Sequence, residues 1–174
     1  QPASERHLGR ALFSGPEGIG KKMLAKTFTQ YLFCRSRSAC GACPSCVKLA
    51  RGTHPDLIVM ESEGSIGIDD SRMIGKEVSE YPYESDKRII IIDNAETMTR
   101  EAANALLKTL EEPPPYNHFF LITSVEKGIP ATIRSRCTRI FFSALSRELL
   151  KSFFALTQGT DGEHSDLLAD ISYG

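Results

Sequence analysis

The chain lacks an excess of either charge: 21 Lys and Arg stand against 22 Asp and Glu, a formal net charge of −1. No overall field draws it onto nucleic acid or an anionic membrane, so any contact with DNA has to be local or made through partners. It also lacks an apolar run near the roughly 18 residues that cross a bilayer, and its N-terminus lacks the charged-then-apolar pattern of a secretory leader. These absences point to a soluble, cytoplasmic protein. No methionine stands at position 1, and Gly174 falls partway through a helical pattern, so a fragment of a longer chain is expected. With 174 residues there is room for one ordinary domain and part of another.

Two further absences are local and chemical. Gly15-Pro16-Glu17-Gly18-Ile19-Gly20-Lys21-Lys22 fits seven of the eight positions of the phosphate-binding loop G-x-x-x-x-G-K-[ST]. Gly15, Gly18 and Gly20 let backbone N–H groups curl around an anion, and Lys21 reaches its phosphates. The apolar run Ala11-Leu12-Phe13 ahead of the loop and a helical pattern behind it give the order strand, loop, helix. A strand-to-helix turn without a ligand is the plainer alternative. The missing feature is a hydroxyl at position 22: Lys22 cannot ligate Mg²⁺ and repels it. The second absence follows Asp93, which ends a strand where an acid would hold Mg²⁺ through water. The position that would carry a water-polarising Glu is Asn94, which cannot act as a base, and Glu96 is expected to point elsewhere. A merely polar strand end is the alternative for Asp93.

The rest of the pattern alternates strand and helix. Strands are expected at Leu57–Met60, at Arg88–Asp93 with its four consecutive isoleucines, at His118–Thr123 and at Thr138–Phe142. Between them a helix capped at Asp69-Asp70-Ser71 runs through Tyr81 to a stop at Pro82, and another spans about Thr99 to Glu112, ended by three prolines. The expectation is an α/β domain with five parallel strands and helices on both faces over residues 1–143. From 144 to 174, helical spacing without strands reads as the start of a small all-helical domain.

Cys34, Cys40, Cys43 and Cys46 are separated by five, two and two residues. Chained C-x-x-C pairs turn thiolates onto one ion, and four sulfurs complete a closed, structural Zn²⁺ shell over about residues 34–46. A redox dithiol is the rival, but it needs only two cysteines and opens a helix after a strand. Cys137 reads as a small buried apolar residue. Arg136 alone would be a surface cation.

Four stretches taken together resemble the bacterial clamp-loader subunits of DNA polymerase III, of the AAA+ class: GPEGIGKK, the cysteine cluster, IIIIDNAETMTREAANALLKTLEEPP and IPATIRSRC. They cover most of residues 11 to 142. The resemblance implies an AAA+ nucleotide-binding-like domain, a helical lid, a structural zinc module and assembly with gamma/tau and delta subunits. The assembly is a five-membered ring that loads the sliding clamp on primed DNA. Lys22 and Asn94 make the chain resemble the delta-prime branch, whose nucleotide site is degraded, rather than the ATP-hydrolysing gamma/tau motors. On that reading the chain has neither polymerase nor intrinsic ATPase activity, and ATP with Mg²⁺ is not an expected cofactor. Arg136 matches the arginine that reaches in trans to a neighbour's ATP, and Thr123 matches a phosphate sensor or simply satisfies backbone groups. The gap between Cys34 and Cys40 is shorter than the family pattern. The alternatives are an active motor subunit and an unrelated zinc-stabilised nucleotide sensor.

Overall fold

The computed structural model describes residues 9–61 and 64–144, together with 146, 148 and 149. Five strands, β1 (Arg10–Ser14), β2 (Leu57–Met60), β3 (Arg88–Ile92), β4 (Asn117–Thr123) and β5 (Thr138–Phe141), form one all-parallel sheet in the order β2-β3-β4-β1-β5. The helices are α1 (Lys21–Phe33), α2 (Pro44–Ala50), α3 (Ile68–Glu77), α4 (Arg100–Glu111) and α5 (Ala131–Arg134). One compact unit ends at Phe142. The all-helical segment expected over 144–174 falls almost wholly outside the described residues.

Every residue of β3 and β4 is buried, as strands covered on both faces must be. Their side chains alternate between two cores. Leu12, Ile90, Ile92, Phe119 and Leu121 pack with Ile74 of α3 and with Leu106 and Leu110 of α4. Phe13, Ile89, Ile91, Phe120 and Ile122 pack with Ala25 and Leu32 of α1 on the other side. The period of two along a strand forces this division, and each fully buried Ile or Phe contributes about 1.5–3 kcal/mol.

Two expected boundaries move. Helix α3 starts at Ile68 because Asp70 is its third residue and reaches back, its Oδ2 accepting from the Gly67 N–H at 2.8 Å, so the acids lie inside the first turn. The same helix ends at Glu77, short of Tyr81. The reason is the fully buried Arg88, whose guanidinium donates to the carbonyls of Glu77, Glu80 and Tyr81 and holds them away from a helical ladder. Helix α4 begins as expected, with Thr99 Oγ1 accepting from the Ala102 N–H at 3.2 Å.

Candidate functional site

The glycine loop joins β1 to α1 at the C-terminal edge of the sheet, beside the ends of β3 and β4. Gly15 is required by packing: a Cβ there would lie 2.2 Å from the Phe142 carbonyl oxygen. Gly20 caps α1 with a left-handed φ of 88°, which turns the chain into the helix. Lys21 is 7% exposed, and its Nζ donates to the carbonyls of Gly15 at 2.7 Å and Pro16 at 2.5 Å. Two of its three protons are spent on the loop, leaving one for an anion.

A cleft of about 320 Å³ opens here, lined by Gly18, Gly20, Lys21, Lys22, Asp93 and Asn94 among others. The structure thus brings the loop and the acid after β3 to one place. Asp93 is not free to meet a metal. Lys22 Nζ lies 3.0 Å from Asp93 Oδ2 and 2.7 Å from Glu61 Oε2, so an ammonium bridges the two carboxylates. Burial pulls the Lys22 pKa down, but the hydrogen bonds and charges of Glu61 and Asp93 outweigh it and raise the pKa. The site therefore does not fit Mg²⁺: the hydroxyl ligand is missing and the carboxylate is paired.

Thr123 ends β4, 1% exposed, with Oγ1 accepting from the Val125 N–H at 3.1 Å. Glu96 accepts from the Ser124 N–H at 3.0 Å and its hydroxyl at 2.6 Å, and Ser124 lines the cleft. Burial raises its pKa, yet these bonds leave it lowered overall.

The four cysteines meet as a second centre. Their Sγ atoms all lie within 4.8 Å of one another, Cys34 included despite the short gap ahead of Cys40. Cys34 follows the end of α1, and Cys43 precedes Pro44 at the start of α2, so two helix ends fix the cluster. The Cys40 N–H and then the Ser36 hydroxyl hold the Cys34 thiol down to about 4, and the Cys46 N–H lowers Cys43. Burial pushes Cys46 up to about 11. Four sulfurs this close, two of them favouring the thiolate, fit one tetrahedral metal ion.

Arg136 sits apart from the cleft, between α5 and β5. It donates to Glu111 Oε1 at 2.8 Å and to the Thr132 carbonyl at 2.8 Å. Cys137 is 9% exposed, and burial pushes its thiol up to about 11, away from nucleophilic use.

Sequence reasoning missed Glu61 and Glu111. The first follows β2 at the same sheet edge as Asp93, the place where open α/β sheets collect site residues, and that position was its only signal. Glu111 lies 25 residues from Arg136 and had none.

A match to the family described as DNA polymerase III, delta subunit, covers residues 3–146. The chain is 37% identical over 140 residues to DNA polymerase III subunit delta' of Pseudomonas aeruginosa, covering 77% of this chain and 43% of that protein. It is 35% identical over 152 residues to subunit tau/gamma of Haemophilus influenzae, covering 84% and 22%. A solved DNA polymerase III gamma subunit-related protein of Thermotoga maritima superimposes with a TM-score of 0.67 at 26% identity, over 97% of this chain and 54% of that one. The chain therefore spans less than half the length of the curated relatives named here.

Proposed function

This chain belongs to the DNA polymerase III delta-subunit family, with an AAA+ fold, and from that premise we propose that it is a delta-prime type subunit of the clamp loader. It acts in the cytoplasm as a non-hydrolysing member of a five-subunit ring with gamma/tau and delta, which places the sliding clamp on primed DNA. Residues 1–143 are its nucleotide-binding-like domain, and the lid expected over 144–174 lies almost wholly outside the described residues. Cys34, Cys40, Cys43 and Cys46 hold a structural Zn²⁺, which ties the excursion after α1 to α2 and leaves no coordination position for chemistry.

The observation that carries the reading is the Lys22 ammonium on Asp93. Identity does not separate the two branches, since delta' and tau/gamma relatives match almost equally. The chemistry favours one of them. A motor needs Mg²⁺ between phosphate and Asp93 and a base beside the water, and this cleft offers a paired Asp93 and Asn94. Gly15, Gly18, Gly20, Lys21 and Thr123 then form a degenerate nucleotide site in which no phosphoryl transfer occurs.

Arg136 is the part of the chain that acts on chemistry, in trans. Its half-buried guanidinium stands on a short turn and is anchored by Glu111 and the Thr132 carbonyl. An anchored planar cation can neutralise charge on a neighbour's transferring phosphate with little loss of side-chain freedom. The reading is tested by turnover: the purified full-length protein should release no phosphate from ATP above background with Mg²⁺ present. Turnover that Lys21→Ala abolishes would make it a motor subunit.

A further inference from the structure

The ionic unit of Lys22, Asp93 and Glu61 is more than a lost metal ligand. Resting on the non-hydrolysing reading, we propose that Lys22 replaces Mg²⁺ in this cleft, so that the site takes the polyphosphate of a nucleotide as a metal-free anion and rejects its Mg²⁺ complex. The geometry carries this in three steps. First, the ammonium stands where a divalent ion would have to sit, 3.0 Å from Asp93 and 2.7 Å from Glu61, and the two cations cannot share Asp93. Second, an ammonium has three donors. Lys22 spends one on each carboxylate, and its 35% exposure on the cleft wall leaves the third toward the opening.

Third, apart from Glu17 on the cleft wall, the remaining groups around the opening favour an anion. Lys21 keeps one proton after satisfying Gly15 and Pro16. The first turn of α1 contains no acid, and Gly20 offers its N–H groups no side-chain cap. Helices α3 and α4 instead place Asp69, Asp70 and Glu101 in their first turns. Two lysines at the positive end of α1 oppose its dipole, an arrangement that an incoming phosphate relieves and an incoming Mg²⁺ worsens. Glu61, exposed at the end of β2, anchors Lys22 from the far side and keeps the ammonium at the cleft while Asp93 is engaged.

Direct titration of the full-length protein with ATP, in chelator and in excess Mg²⁺, tests this. The wild-type protein and Lys22→Arg should bind ATP in chelator and lose at least about tenfold in apparent affinity when Mg²⁺ is added. Lys22→Thr restores the hydroxyl and frees Asp93, and its Mg²⁺ dependence should reverse sign, with binding tighter in Mg²⁺. Unchanged thermal midpoints would confirm that the variants fold. Wild-type binding that requires Mg²⁺, without turnover, would overturn the replacement of Mg²⁺ by Lys22 and leave the non-hydrolysing reading standing. Mg²⁺-dependent binding with turnover would overturn both, and failure to bind ATP in chelator would overturn the anion site itself.

Discussion

One ammonium, Lys22, pairs the two carboxylates beside the glycine loop, and one buried carboxylate decides how the opposite end of the sheet is built. Asp56 is fully buried at the start of β2, and its oxygens accept from the N–H groups of Tyr83 at 2.5 Å, Glu84 at 2.8 Å and Ser85 at 2.9 Å. Arg88 lies 4.0 Å away and is itself bonded to three carbonyls. Burial raises the Asp56 pKa, but the three N–H bonds and the Ser85 hydroxyl outweigh it and leave it below the ordinary value. A carboxylate depressed in the folded state stabilises above its unfolded pKa, and that stability is lost as pH falls through the folded value. Resistance to denaturant should therefore weaken below about pH 4 in the wild-type protein. Asp56→Ala should cost about 3 kcal/mol at pH 7 and flatten this acid limb. An Asp56→Ala protein of equal stability at pH 7 would contradict the assignment.

At the scale of elements, the glycine loop, the strands and α4 were legible because each carries a local signal: a spacing, a run of isoleucines, a triple proline. The early end of α3 was not, since it depends on Arg88, eleven residues from the Glu77 carbonyl it holds. For the same reason the motif announced Lys22 as a departure but not Glu61 as its partner, which lies across the sheet edge. The cysteine excursion was legible from spacing alone, whereas its attachment to the domain was not. Phe33, at the end of α1, stacks on the buried His54 with ring centroids 4.4 Å apart, and His54 Nδ1 accepts from the Asp56 N–H. The cysteine excursion is thus clasped to β2 by an imidazole whose pKa burial lowers. Binding of a structural Zn²⁺ is worth about 10–16 kcal/mol to such a local fold. Purified protein should carry one zinc per chain, and a strong chelator should speed hydrogen exchange in α2 while β3 and β4 stay protected. Protein that folds with no bound metal, or a sheet that opens together with α2, would contradict this division.

For the whole molecule, the two sequence stretches that most resemble a clamp loader touch each other in space. Glu111, in the stretch ending in LEEPP, holds Arg136 of the SRC triplet at 2.8 Å. Their joint appearance then has a physical sense: one stretch orients the cation that the other presents. Arg136 is not among the residues lining the glycine-loop cleft, so on the proposed reading a degenerate loop and an arginine acting in trans are separable by substitution. The measurement that tests this most directly is the clamp- and DNA-stimulated ATPase of the reconstituted assembly carrying either Arg136→Ala or Lys21→Ala in this subunit. Arg136→Ala should depress hydrolysis at the site it serves by about 10³-fold, the lower range for such fingers, while Lys21→Ala leaves the rate unchanged. The converse result, with Lys21→Ala abolishing turnover and Arg136→Ala without effect, would make this chain a motor and contradict the account.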